Sequence, residues 1–479
     1  MNPEVKWRIA LEISHYPGIN CARELSPGEC DSLAVFLSKM KRLFDPRSVA
    51  SSGLSARAAA WCVVLLFSGA CPAQSSGDNW ARCEGSDPDV SIAACTALIE
   101  SSKDDTENEA VAFNSRGIAY AMKDQQDRAI EDFNQAIQLK PDYEGAFSNR
   151  ANAYASRGQF DRAMGDYSEA IRLRPDDSNA YNYRGVAYAQ IGQFDKAIED
   201  FERSIQLQPE NAGALNNRGS AYDSIGEYEK AIADFNKAIE VKPEYAEAYS
   251  NRGNAYTDER QYDKAIADYT QALRLNPVDA ETYYNRGVRY LDKGRLNEAI
   301  ADFGQALHIR PNLAEAYNGQ GIAYESKGQE ELANADFGEA IRLKPDYAEA
   351  YTNRCFSRAI AGQLSSALVD CNESLNLRSN DVATLNDRGL VHLKLGDARA
   401  ALADYDSVLA TNPTDASSLY GRGLARQRSG DADGGGADMQ AATAIQPDIA
   451  DQFAKWGIAG KPESGKTPSQ TDGERKSAR

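Results

Sequence analysis

Between Glu144 and Asp177, apolar or small residues stand at Phe147, Ala151 and Tyr154, then at Phe160, Ala163, Tyr167, Ala170 and Ile171. Most of these are three or four residues apart within each half, which is helical spacing, met twice. Gly158 lies between the halves, and the same place carries Gly192, Gly226, Gly294, Gly328, Gly362, Gly396 and Gly430. Glycine is the residue best able to take the left-handed conformation that follows a helix end. A proline then stops the second helix: Pro141, Pro175, Pro209, Pro243, Pro277, Pro311 and Pro345 recur every 34 residues, followed by Pro413 and Pro447, with Ser379 in the one gap. With that proline as position 32, the pattern predicts ten helical hairpins, beginning at Ala110, Glu144, Ser178, Ala212, Ala246, Ala280, Ala314, Ala348, Val382 and Ala416.

Small residues explain how each hairpin closes. Position 8 is glycine, apart from Ala151 and Cys355, and position 20 is alanine from Ala129 to Ala401, then Gly435. Position 8 is therefore expected to face position 20. Aromatics at position 24, such as Phe133, Tyr167 and Phe235, and tyrosines at position 11 supply apolar area that only a stacked neighbour can bury. This pattern of aromatic, Gly, Tyr, Ala, aromatic, Ala and Pro resembles the tetratricopeptide repeat and covers residues 110–449. The resemblance implies an all-α fold, a right-handed superhelical α-solenoid of stacked helix-turn-helix hairpins whose first helices, A, line a concave face. It does not name a partner.

The ends are read from the same register. Residues 76–109 form a degenerate capping hairpin with Cys83 at position 8 and Cys95 at position 20, the places expected to face each other, so a disulfide is expected there. Cys355 and Cys371, at positions 8 and 24, look one helical turn out of line and are ranked below that pair. Residues 450–460 read as a C-terminal capping helix and 461–479 as a disordered tail. Residues 40–73 run from Lys41, Arg42, Arg47 and Arg57 through the apolar Ala58–Ala70 to small residues, the order of a signal peptide cleaved after Ala70 or Ala73. Residues 1–39 match no repeat, and translation is expected to start at Met40. Ser68, where a lipobox has leucine, argues against a lipid anchor on Cys71. Export to the periplasm or outside the cell is expected, with membrane attachment through an uncleaved segment as the alternative.

A formal net charge of -18 disfavours nucleic acid and anionic membrane surfaces and favours cationic segments of other proteins. His15, His308 and His392 are too few for a histidine metal site, and no catalytic triad or phosphate-binding motif is evident, so neither enzyme, metal, cofactor nor small-molecule substrate is expected. His392 takes a tyrosine place and should pack in the core, while His308 sits near a helix end that favours an imidazolium. Position 7 is arginine in nine repeats and Gln320 in the seventh; position 23 is aspartate in all ten. Pairs such as Arg150 with Asp166 and Arg218 with Asp234 read as a structural ion-pair ladder, rather than a charged binding stripe.

Helix A also carries asparagines: Asn149, Asn217, Asn251, Asn285 and Asn353 at position 6, Asn182 and Asn216 at position 5, Asn152 and Asn254 at position 9. Carboxamides both donate and accept, which matches the backbone of an extended peptide. The expected function is a non-catalytic scaffold that holds a peptide or protein in the concave groove. Self-assembly or an accessory role in an enzyme complex is the alternative, and solvated consensus residues are the plainer reading of the asparagines. In either case they should be removable with little loss of stability.

Overall fold

A computed structural model describes residues 76–101 and 105–458, so the expected signal peptide, the extension before it and the tail from 461 lie outside the described residues. The described residues contain 23 α-helices and no strand. The chain divides into two compact units, Met1–Gly85 and Ser86–Arg479. In the first, the described residues are 76–85, which hold the helix Ser76–Cys83. The second begins with the helix Pro88–Ser101 and continues through ten hairpins to the short helix Ile449–Lys455.

Each repeat pairs a helix A, such as Glu144–Ser156 or Ala212–Ser224, with a helix B, such as Phe160–Leu173 or Tyr228–Val241. Asp177, Asn211, Asp279, Asp381 and Asp415 cap the following helix A by accepting backbone N–H bonds. The turn between the helices needs a positive φ. Gly158 supplies it at 69°, and the same turn forces Asp124 and Arg260, which stand where glycine is missing, to 58°.

Position 8 closes the hairpin by a route the sequence reading missed. A Cβ on Gly219 would stand 2.7 Å from Cε1 of Phe235, and one on Gly117 2.6 Å from Cε1 of Phe133, so positions 8 and 24 are in line. Position 20 lies against the same backbone, since a Cβ on Gly435 would meet the carbonyl oxygen of Gly423 at 2.6 Å. The low ranking of Cys355 and Cys371 is therefore corrected. They are bonded, with Cα atoms 5.4 Å apart, and the disulfide fills the space that glycine and a ring share elsewhere. Cys83 and Cys95 are each in a disulfide, and each is buried.

The aromatic at position 24 also binds the next repeat. Phe133, Tyr167, Phe201, Phe235 and Phe303 share their apolar clusters with Ala153, Ala187, Ala221, Ala255 and Ala323, the position-10 alanines of the following helices A. Each ring thus joins its own hairpin to its neighbour, the nearest-neighbour coupling of a solenoid.

Candidate functional site

The arginine at position 7 lies on helix A between two rings of its own helix, as Arg150 does between Phe147 and Tyr154. Its fork reaches the aspartate of helix B. Arg150 Nε and Nη2 donate to the two carboxylate oxygens of Asp166 at 2.7 Å each, and Arg218 to those of Asp234 at 2.7 Å each. All nine arginines make this bidentate pair. The bond to Asp234 raises the already high pKa of Arg218, although burial acts against it. The remaining nitrogen, Nη1, spans to the previous repeat: Arg150 to Asn134 at 2.6 Å, Arg184 to Ser168 at 3.0 Å, Arg388 to Asn372 at 2.9 Å. One side chain therefore ties three helices.

His392 joins this ladder instead of the core. Its Nε2 lies 3.9 Å from Asp404, and the flanking repeats place Arg358 and Arg426 at the same position, 2.6 and 3.0 Å from Asp370 and Asp438. Three bases in succession at a tyrosine position were the sequence signal. His308 stands in the last turn of Leu296–Ile309, as expected.

In the seventh repeat the ladder is broken. Gln320 donates to Ile300 O at 3.1 Å, and one oxygen of Asp336 is buried without a partner. Burial and the nearby Glu339 push the Asp336 carboxyl up to about 6. Asp223 is pushed up to about 6 by burial and Asp258, and Glu325 to about 7 by burial and Glu330. A carboxyl near 4 in the unfolded chain and near 6 in the fold binds its proton more tightly when folded. Stability from these groups is fullest below pH 4 and is lost as pH rises through 6 to 7. Gln320→Arg should pair Asp336, add about 1–2 kcal/mol at pH 7 and less at pH 5, and flatten this slope; urea melts at both pH values test it. An unchanged slope would mean that Asp336 is not the cause.

The asparagines are held by one another. Nδ2 of Asn149 donates to Oδ1 of Asn114 at 2.9 Å, Asn217 to Asn182 at 3.1 Å, Asn251 to Asn216 at 3.1 Å and Asn353 to Asn318 at 2.9 Å, each joining consecutive repeats. Asn285 reaches Asn254 at 3.3 Å, whose Oδ1 also accepts from the Tyr269 hydroxyl at 2.7 Å, and Tyr167 likewise donates to Asn152 at 2.6 Å. Asn216 is buried and Asn152 exposed; the position-6 asparagines are half-buried. These bonds speak against the expectation that alanine is tolerated there with little loss of stability, because at position 6 each substitution removes an inter-repeat tie.

The folded unit is an array of helical hairpins repeated every 34 residues, most of them built on a glycine, a ring and an Arg–Asp pair. Tetratricopeptide repeat families match at residues 110–143, 178–211 and 246–279, at 151–192, 221–258 and 287–328, and again at 201–233, 314–347 and 386–448. Together they span more than half of the chain, which belongs to the tetratricopeptide repeat family. Comparison with curated proteins gives no match. Among solved structures, the chain is similar to YrrB, a TPR protein with an unusual peptide-binding site, at 23% identity over 38% of this chain and 95% of that one, TM-score 0.34. It is also similar to MamA, at 30% identity over 36% and 94%, TM-score 0.33, and to the APC/C hetero-tetramer Cut9-Hcn1, at 15% identity over 73% and 83%, TM-score 0.43.

Proposed function

We propose that this chain is a non-catalytic scaffold whose helix A face holds an extended, cationic segment of another protein. Tetratricopeptide repeats commonly serve protein interaction, which supports the coarser half of this reading. The finer half rests on one observation: position 6 presents a half-buried amide in repeat after repeat, its nitrogen already tied to the neighbour. Amides fixed in this way lose little entropy when a backbone N–H comes to their free oxygens. The net charge of -18 suits a basic segment.

The test starts from peptides selected on the purified chain from a random library. Replacing Asn217, Asn251 and Asn285 together by alanine should weaken binding about tenfold or more, at about 0.5–1.5 kcal/mol per contact. It should also lower the melting temperature, because four inter-repeat bonds go with it. Normal binding by this variant would move the partner to helix B or to the array ends.

Export remains the proposed location, supported by the signal-like order of residues 40–73 and by the disulfides, which suit an oxidising compartment. No helix among the described residues is long and apolar enough to cross a membrane. Mass spectrometry of the mature chain should find it starting at Cys71 or Gln74; a chain retaining residues before Ala58 would contradict export with cleavage.

A further inference from the structure

A cavity of about 210 Å³ opens in the ninth and tenth repeats, beyond Asn353, the last position-6 asparagine of the amide column. Its floor is buried: Leu390, Phe453 and the ring of Tyr405. Asp387, Ser417 and Trp456 stand at its rim and are partly accessible. Two polar groups that line it have no partner among the described residues. The Tyr405 hydroxyl is buried, on a residue only 1% exposed, and has no hydrogen-bond partner. Asp387 forms no ion pair or hydrogen bond with any described residue, and burial, reinforced by the like charges of Glu325 and Asp381, pushes its carboxyl well above the usual range.

The repeat register shows that both vacancies are local departures. Tyr167 and Tyr269 occupy the same position 24 and donate to Asn152 and Asn254 at position 9; in the ninth repeat position 9 is Leu390, which cannot accept. At position 6 the ninth repeat has Asp387 where repeats two, four, five, six and eight have asparagine, and the tenth has Gly421. A Cβ on Gly421 would lie 2.3 Å from Cζ and 2.6 Å from the hydroxyl oxygen of Tyr405, so the glycine makes room for the hydroxyl. The nearby cations are committed elsewhere: Lys394 Nζ donates to Ala359 O at 2.7 Å, Arg428 to Leu393 O, and Arg388 to Asp404. Asp381 is occupied as the cap of Thr384.

A carboxyl held protonated by burial regains its charge beside a cation, and with a hydroxyl oxygen and three apolar walls around it the site disfavours anions and offers too few ligands for a metal ion. It suits a group with several N–H donors on an apolar stem. We propose that this cavity binds a primary ammonium carried on an aliphatic chain, the ammonium between Asp387, Tyr405 and Ser417 and the chain against Leu390, Phe453 and Trp456. Rings at Tyr405, Phe453 and Trp456 add attraction for the cation. The source is either a lysine side chain of a partner or a free alkylamine. The site stands without the peptide reading, since a free amine needs no amide column.

Titrations of the purified full chain with n-butylammonium, and with a short peptide carrying one lysine or norleucine in its place, test this by calorimetry. Saturable binding of an amine, with n-butanol and the norleucine peptide inactive, is expected. Asp387→Asn, which restores the residue usual at that position, should weaken it at least tenfold without lowering the melting temperature. Tyr405→Phe should weaken it several-fold while raising the melting temperature, since it deletes an unsatisfied buried hydroxyl; a purely structural Tyr405 would show the second effect alone and would overturn its role. A lysine peptide binding tenfold more tightly than butylammonium assigns the site to a partner, and equal affinities assign it to a free amine. If neither amine saturates, or if Asp387→Asn binds as well as the parent, the proposal is wrong, whatever becomes of the amide column.

Discussion

Phe235→Ala is expected to destabilise the array by about 3–5 kcal/mol, with the loss concentrated in the fourth and fifth repeats. The ring is fully buried, lies under Gly219 of its own hairpin and shares a cluster with Ala231 and Ala255. Removing it empties a space bounded by three helices, and the short, close-packed A helices have little room to collapse into it. Gly219→Ala alone should also destabilise, because its methyl would stand 2.7 Å from the ring. In the Phe235→Ala background that methyl enters vacant space, so the double variant should be more stable than the two single losses predict. Amide exchange should rise first in the flanking helices; an even rise along all ten repeats would contradict nearest-neighbour coupling.

Arg218→Ala is expected to cost about 3 kcal/mol or more, since it strands the buried carboxylate of Asp234. It also removes the ring contact with Tyr222, 5.9 Å from the guanidinium to the ring centroid. The seventh repeat displays the consequence in the native chain: with Gln320 in the arginine place, the Asp336 carboxyl is pushed up to about 6. Asp234 should follow the same course in the variant, adding a loss of stability between pH 4 and 7 to the one that Asp223, Glu325 and Asp336 already give the parent. Arg218→Lys should rescue little, because an ammonium cannot reproduce the two-pronged bond. Thermal melts across that pH range check both statements, and a melt equal to the parent's would show the pair to be unimportant.

The hairpins were legible because period, proline and glycine are each set by backbone geometry, which a single chain displays in every repeat. The Arg–Asp ladder was legible for the same reason, since spacing of 16 residues recurs nine times. What stayed hidden depends on how neighbouring helices lie against one another. Arg150 reaching Asn134 and Asn217 reaching Asn182 are bonds between repeats, and a reading confined to one unit at a time could not see them. The pairing of Cys355 with Cys371 was underrated because position 8 was aligned only with position 20, whereas the ring at position 24 fills the same gap. The orphaned Tyr405 hydroxyl had a signal, Leu390 in the place of an asparagine, but it becomes meaningful only once Tyr167 is seen bonded to Asn152.

The claim that a partner lies along helix A is tested most directly by photo-crosslinking. A photoreactive side chain is placed in turn at Asn152 and Asn182 on helix A, and at Arg203 and Lys237 on the exposed side of helix B. With a peptide selected on the parent chain, crosslinks are predicted from Asn152 and Asn182 and none from Arg203 or Lys237. Crosslinks from the helix B positions, with the helix A positions silent, would contradict the account.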